Sequence, residues 1–78
     1  MAPGISKPDP CFLDRMIPFG VRDGNKLWVS NDRKFYFTWD SMHGEIEWYN
    51  KHGYHLGVLD AVSGEIIKPA VRGRKIDI

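Results

Sequence analysis

The feature that most limits the fold of this chain is a series of short segments in which apolar and polar residues alternate, separated by short turns. Successive side chains of a β-strand point to opposite faces, so this period of two predicts strands. We place them at residues 27–30, 34–39, 45–50, 54–59 and 65–68, with a further one at 75–78. Because short connections join antiparallel neighbours, we expect a twisted antiparallel sheet of about five or six strands.

A short helix is expected before the sheet. Asp9 can cap a helix whose first residue is Pro10, and Pro18 prevents continuation past Ile17, which leaves room for about two turns. The predicted fold class is therefore α+β and mainly β. Residues 1–8, rich in Pro and Gly, are interpreted as an arm or linker remnant, and residues 9–78 as a single domain.

Length and composition exclude several kinds of site. A domain of 78 residues buries only about 60% of its unfolded surface, so we expect an open groove without a large cofactor. The single cysteine, Cys11, cannot form an internal disulfide, and with three scattered histidines it shows no zinc-site spacing. No apolar run reaches the roughly 20 residues that span a bilayer, and no secretory signal is evident. We therefore predict no cofactor, no metal and no membrane contact.

One hairpin can be predicted in register, because residues 51–53 have the length and the glycine of a three-residue loop. The expected pairs are Asn50 with Tyr54, Tyr49 with His55, Trp48 with Leu56, Glu47 with Gly57, and Ile46 with Val58. One face then carries His43, Glu45, Glu47, Tyr49 and His55. An outward polar face is ordinary in an antiparallel sheet. Two histidines and two carboxylates on it are less ordinary, and from the pattern alone a catalytic face and a solvated one both stay open.

Charge is unevenly distributed although the net charge is only +1. The stretch from 40 to 60 is acidic, and basic residues lie on both sides of it. This arrangement is what an enzyme acting on a phosphodiester needs, namely acid and base groups with a cationic rim. The other interpretation is solvated surface charge, and composition alone favours it.

Residues 33–69 read RKFYFTWDSMHGEIEWYNKHGYHLGVLDAVSGEIIKP, and RKI follows at 74–76. This sequence resembles the cytotoxic ribonuclease domain of the ribosome-inactivating nuclease colicins and cloacin. The resemblance covers over half of the chain and centres on WDS-x-HGE-x-E, an aromatic residue two positions later, HLG, a turn with SGE and a late arginine. Residues 1–32 show no match.

The resemblance implies a short helix followed by a highly twisted antiparallel sheet. It also implies metal-independent cleavage of 16S rRNA at the decoding centre of the 30S ribosomal subunit, which stops translation, and a tightly bound immunity protein. We expect a toxin module that the producing bacterium releases as a bacteriocin or displays in a contact-dependent inhibition system. It would act in the cytoplasm of the target bacterium. A noncatalytic small β module that binds RNA or protein is the alternative.

The family's catalytic residues fall on Asp40, His43, Glu47, His55 and Arg74. We assign Glu47 as the base and His43 as the acid in 2′-hydroxyl attack, although these two roles can be exchanged. Asp40 would orient His43, and Arg74 would hold the phosphate. For His55, a catalytic role and simple packing on Tyr49 both stay open.

The remaining charged and aromatic residues receive weaker assignments. The predicted RNA contacts are Arg33, Lys34, Tyr49, Lys51, Lys68, Arg72 and Lys75. Phe35, Phe37 and Trp39 alternate on one strand and are assigned to the core. The immunity partner is expected to be acidic and to contact a basic rim formed by residues 68–75 with Arg33 and Lys34. It would also contact neighbouring aromatic residues such as Trp28 or Tyr54, without filling the catalytic cleft.

Overall fold

The computed structural model describes residues 4–78, in which six strands form one antiparallel sheet in the order β1-β2-β3-β4-β5-β6. Each strand pairs with its neighbour in the sequence, as short connections require. The strands are β1 (Ile17–Arg22), β2 (Asn25–Val29), β3 (Phe35–Asp40), β4 (Glu45–Asn50), β5 (His55–Leu59) and β6 (Ile66–Pro69). The mainly β prediction is confirmed, and five predicted segments overlap strands. In the predicted segment 75–78, only Lys75 forms a bridge, to Tyr54.

The predicted N-terminal helix is wrong for the described residues. A single 3-10 turn, Phe12–Arg15, takes its place, and the chain is already extended at Met16. Ile17 and Pro18 then enter β1, opposite Val29 and Trp28 of β2. Pro18 lies in an edge strand, where a proline is tolerated. A helix of two turns gains little over its nucleation cost, whereas pairing with β2 gives this segment a longer ladder. Residues 1–3 of the predicted arm lie outside the described residues.

The sheet buries residues on both faces. The first face is apolar, and its core includes Leu13, Trp28, Phe37, Ile46 and Leu59. Phe35 and Trp39 pack against this core, so the prediction that the three alternating aromatic residues of β3 belong to the core is confirmed. On the second face Leu27, Val29, Tyr36 and Tyr49 are buried.

The C-terminal segment folds over the second face. Ile76 packs against the buried residues there, and its N–H donates to the carbonyl of Gly53 at 2.9 Å. Arg22 in β1 donates from Nε to the carbonyl of Asp77 at 3.1 Å. The segment therefore connects β5 with β1, two strands far apart in the sheet order, which requires the sheet to curl around this face. A Cβ at Gly53 (φ +87°) would overlap the carbonyl oxygen of Ile76, so glycine permits this approach.

The β4–β5 register agrees with the prediction only near the turn. Tyr49 pairs with His55, and the N–H of Asn50 donates to the carbonyl of Tyr54 at 2.9 Å. A bulge then adds Leu56 to β5, so Trp48 pairs with Gly57. The predicted pairs beyond the bulge are wrong by one residue: Glu47 lies opposite Val58, and Ile46 lies opposite Leu59.

The outer edge of β5 has two partners. β6 covers Gly57 to Leu59, and the chain returns to the same edge where Lys75 meets Tyr54. Between β6 and Lys75, residues 70–74 form a loop that leaves the edge of β5 beside His55. The backbone N–H of His55 donates to the carbonyl of Arg74 at 3.0 Å. This loop brings Arg74 over the second face of the sheet. Among residues 4–78, no helix is long and apolar enough to cross a membrane.

Candidate active site

The second face of the sheet carries an open cleft of about 270 Å³. It is lined by Asn25, Thr38, Trp39, Asp40, Met42, His43, Glu47, Tyr49 and Arg74. Four of the five predicted catalytic residues therefore share one cavity. The fifth, His55, lies behind Glu47 and contacts it.

Asp40 ends β3 and organises the turn that leads to β4. Its Oδ1 accepts the backbone N–H groups of Met42 at 3.0 Å and His43 at 3.3 Å, and its carbonyl accepts the N–H of Gly44 at 2.8 Å. Its Oδ2 lies 2.7 Å from Nδ1 of His43. One carboxylate thus fixes both the backbone and the imidazole of the turn.

The protonation of Asp40 decides which nitrogen of His43 is available. Partial burial acts to raise the pKa of Asp40, but the hydrogen bonds from the His43 ring and from the backbone of His43 and Met42 outweigh it, so that the pKa is lowered. Asp40 is therefore an anion at neutral pH and accepts a hydrogen bond from Nδ1–H. The other nitrogen, Nε2, is left free to exchange a proton with a ligand. The His43 side chain is 57% exposed, as such a role requires.

Glu47 lies at the centre of a buried polar network. Its side chain is only 8% exposed. Oε2 lies 2.8 Å from Nε2 of His55, and Oε1 lies 3.0 Å from Nη2 of Arg74. Two donors hold the carboxylate in one orientation, and the Arg74 side chain, 47% exposed, extends from it toward solvent.

The predicted outward polar face is wrong in one respect. Glu47, Tyr49 and His55 share a face, but all three are buried. The alternation of β4 sets the direction of each side chain, whereas the curl of the sheet, the loop at residues 70–74 and the C-terminal segment determine how much water reaches it. These are contacts between residues distant in the sequence.

The hydrogen bonds of His55 fix its tautomer. The backbone N–H of Val71 donates to Nδ1 at 2.8 Å, so Nδ1 carries no proton and Nε2–H donates to Glu47. His55 is therefore a neutral imidazole between the loop at residues 70–74 and the carboxylate. It also packs edge-to-face on Tyr49, with ring centroids 5.4 Å apart. In this structure His55 positions Glu47 and does not line the catalytic cleft.

His55→Ala is expected to lower the free energy of unfolding by about 2–4 kcal/mol, because Glu47 and the Val71 N–H would each lose a buried partner. Urea denaturation followed by tryptophan fluorescence measures this loss. His52→Ala is the matched control, since His52 lies exposed in the neighbouring turn. If His55→Ala cost no more than His52→Ala, the network would not hold the loop.

Tyr49 does not present an exposed stacking surface. It is 3% exposed and reaches the cleft from within the second face. Burial raises the pKa of its hydroxyl, opposed by a hydrogen bond with Thr38 and by the charge of Arg74. A phenol in contact with Arg74 makes Tyr49 part of the floor of the cleft.

The predicted RNA-binding cations fall into two groups. Lys68 lies beside the catalytic cleft, where Nζ contacts Glu45 Oε1 at 2.9 Å, and this bond raises the pKa of Lys68. Arg72 and Lys75 are exposed around the loop at residues 70–74. The other group consists of Arg33, Lys34 and Lys51, on two turns at the end of the β3–β4 ladder where Phe35 pairs with Asn50. Asp40 and Glu45 pair at the opposite end of this ladder, so these three cations lie at the end away from Asp40.

Asp40, His43 and Glu45 bring three potential metal-ligand atoms within 4.8 Å of one another. In this structure two of them are hydrogen-bonded to each other, as Asp40 and His43, and Glu45 is paired with Lys68. The cluster is thus accounted for as an ion-pair network at the cleft.

Sequence reasoning missed Thr38 in this site. Thr38 is buried, lines the cleft and pairs across the sheet with Glu47. The length of the turn after Asp40 could have predicted this pair. A turn of four residues places Asp40 opposite Glu45, and the antiparallel register then places Thr38 opposite Glu47.

Comparison with known proteins shows the family to which the chain belongs. The sequence model of the Cytotoxic family matches residues 20–77, so the similarity includes residues 20–32, where the sequence alone showed no match. Cloacin from Escherichia coli is 38% identical over 42 residues, which are 53% of this chain. The chain spans 8% of the length of cloacin. Because the family match covers well over half of the residues, the chain belongs to the Cytotoxic family, the cytotoxic domains of the colicins and cloacin.

Proposed function

We propose that this domain is the nuclease of a bacterial toxin and that it cleaves 16S rRNA at the decoding centre of the 30S subunit without a metal ion. The observation that carries the proposal is the arrangement of two charged pairs around one open cleft: Asp40 with His43, and Glu47 with Arg74. Together they supply a proton acceptor, a proton donor and a phosphate ligand. Family membership points to the same class of activity.

The proposed reaction needs only these groups. The ribose 2′-oxygen attacks the adjacent phosphorus and loses its proton to a base. The bond from phosphorus to the 5′-oxygen breaks, and an acid protonates that oxygen. The products are a 2′,3′-cyclic phosphate and a free 5′-hydroxyl, so atoms and charge balance.

Glu47 fits the base. Each of its oxygens accepts one hydrogen bond within the protein and retains a second lone pair for the 2′-hydroxyl. His43 fits the acid, because Asp40 stabilises the imidazolium and directs Nε2–H away from itself. Arg74 has guanidinium N–H groups beyond the one that contacts Glu47, and these suit the negative charge that grows on the phosphate.

An experiment with intact ribosomes tests the proposal. The isolated domain is incubated with bacterial ribosomes and EDTA, and the RNA is analysed for one discrete fragment from the 3′ end of 16S rRNA. A cyclic phosphate at the new 3′ end identifies 2′-hydroxyl attack. Intact RNA would overturn the proposal and favour a module that only binds, and cleavage only after adding a divalent cation would overturn the metal-independent mechanism.

The toxin also requires an inhibitor in the producing cell, and we propose an acidic immunity protein that contacts the basic rim around Arg72 and Lys75. Trp28 is wrong as a contact, because it is 4% exposed and Lys7 and Lys26 lie over its ring. Tyr54 is exposed and remains in the proposed surface.

The association rate of the inhibitor is expected to fall as salt increases, since opposite charges speed the encounter and ions screen them. Stopped-flow measurements from low to high ionic strength check this prediction. A rate indifferent to salt, or an interface centred on His43 and Glu47, would show that steering by the basic rim is wrong.

A further inference from the structure

A second cleft lies on the other side of the loop at residues 70–74, with a volume of about 460 Å³. Tyr54 and His55 form one wall, and Arg72 and Arg74 belong to the loop that forms the other. Arg74 also lines the catalytic cleft, so the two cavities share this residue. A chain that places a phosphate at Arg74 can therefore extend into either cavity.

The second cleft has the chemistry of a nucleotide site. Tyr54 is 50% exposed, so its ring is open to solvent at the cleft. Nζ of Lys75 lies 5.5 Å from the centre of the Tyr54 ring, and Arg72 is exposed nearby. Around Gly73, no heavy atom lies within 4 Å of the position of a Cβ, which leaves the mouth of the cleft open. An aromatic ring with flanking cations binds a base by stacking and its phosphates by charge.

We propose that this second cleft binds the nucleotide next to the scissile one in single-stranded RNA, with its base stacked on Tyr54 and its phosphates near Arg72 and Lys75. The proposal rests on the proposed ribonuclease function and extends it to substrate binding. A concave site that shares Arg74 with the catalytic cleft suits a strand that contacts both.

Binding of short RNA to the His43→Ala domain tests the subsite. Tyr54→Ala in that background is expected to weaken binding roughly 5- to 150-fold, the range for loss of one stacked base, and Tyr54→Phe should bind normally. An RNA with an abasic site next to the cleavage position should bind equally well to the domain with Tyr54 intact and to its Tyr54→Ala variant. Val62→Ala is the control, since Val62 is an exposed apolar residue in another turn.

The outcomes separate this proposal from the proposed function. If the wild-type domain cleaves RNA but Tyr54→Ala binds and cleaves as well as wild type, the subsite is wrong. The same conclusion follows if Tyr54→Ala weakens the binding of the immunity protein but not the binding of RNA, because Tyr54 would then belong to a protein interface. If the wild-type domain does not cleave RNA at all, the ribonuclease function is wrong.

A separate observation concerns the segment before the domain. Ile5, in the segment expected to be an arm, contacts the turn between β3 and β4. The N–H of Ile5 donates to the carbonyl of Ser41 at 2.7 Å, and Nε1–H of Trp39 donates to the carbonyl of Ile5 at 2.9 Å. The Ile5 side chain covers Gly44, where an added Cβ would lie 3.1 Å from its Cγ2.

This contact matters because the same turn carries His43. Ser41, Met42 and His43 are all exposed, so little else packs on the turn from outside. Asp40 fixes it from within, and Ile5 supports it on the side of Gly44. We infer that Ile5 is a positioning residue, which holds the turn so that the His43 imidazole stays over the catalytic cleft.

Ile5→Gly and Trp39→Phe test this role by removing the side-chain contact and the indole donor separately. Each is expected to lower kcat by up to about 100-fold with little change in KM, because a misplaced acid affects the chemical step more than binding. Ile5→Val should restore most of the rate. Hydrogen exchange at the Gly44 amide, which donates to Asp40, should accelerate in the two weakened variants.

A matched control and the contrary outcomes complete the test. Ser6→Ala, at an exposed neighbouring position, should leave kcat and the exchange rate unchanged. Suppose that Ile5→Gly lowers the free energy of unfolding but leaves kcat unchanged at temperatures below the melting transition. The arm would then be merely structural. If the Gly44 amide exchanged at the wild-type rate in both variants, the arm would not hold the turn.

Discussion

His43→Ala is expected to slow RNA cleavage by about 10²- to 10⁴-fold, the usual contribution of one general acid or base. The free energy of unfolding should stay within about 0.5 kcal/mol of wild type, because the side chain is exposed and its bond is to Asp40 at the surface. Single-turnover cleavage of ribosomes and urea denaturation measure the two quantities.

Glu47→Gln should lose activity by a similar factor but should also lose stability. The carboxylate accepts from His55 and Arg74, whereas an amide has one accepting oxygen and would turn its NH₂ toward one of these donors. We expect a loss of about 1–3 kcal/mol, the cost of one unsatisfied buried group. The two catalytic variants therefore differ in stability while sharing a loss of rate.

The contrary results are equally clear. Cleavage at the wild-type rate by either variant would remove that residue from the mechanism. Unfolding of His43→Ala would make His43 structural. A Glu47→Gln domain as stable as wild type would mean that the buried network contributes little to the fold.

This difference between His43 and Glu47 also shows what the sequence could predict. The alternation of β4 predicts that Glu47 and Tyr49 share a face, and the hairpin register adds His55 opposite Tyr49; the structure places the three together. Burial was not predictable in the same way. It depends on the loop at residues 70–74 and on Ile76, which reach this face from the far end of the chain.

Register was predictable only where the local turn determines it. The three-residue loop correctly paired Tyr49 with His55, but the bulge beyond it was missed, although a glycine inside a strand, here Gly57, often marks one. The bulge puts one extra residue into β5 opposite β4, which moves every later pair by one position. The pairing of Glu47 with Val58 follows from this shift.

The N-terminal third was the least predictable region. Its apolar spacing fitted a helix, yet β2 offered a free edge, and Ile17 to Arg22 pair with it. The sequence pattern predicts that a helix ends before Pro18, whereas Pro18 is part of an edge strand. The arm could not be assigned to the site, because its contacts with Ser41 and Trp39 run through backbone groups and leave no residue pattern.

Arg74→Lys is expected to reduce the cleavage rate by about 10²- to 10³-fold, as does loss of a donor to the growing charge of a transition state. Lysine keeps the charge but replaces a planar fork by a single ammonium, which cannot contact Glu47 and a phosphate with fixed geometry. Single-turnover kinetics at saturating ribosome concentration separate this loss from weaker binding.

Arg72→Lys is the matched control, two residues away on the same loop. Arg72 is exposed and lines only the second cleft, so its guanidinium has no part in holding Glu47. Its replacement by lysine should change binding only slightly, because a lysine still attracts phosphate as a point charge. If Arg72→Lys were inactive and Arg74→Lys fully active, the phosphate ligand would be Arg72, and the contact of Arg74 with Glu47 would serve the fold alone. A loss of cleavage rate in Arg74→Lys but not in Arg72→Lys would instead mean that catalysis needs two contacts of the Arg74 guanidinium. One contact fixes Glu47, and the other binds the phosphate.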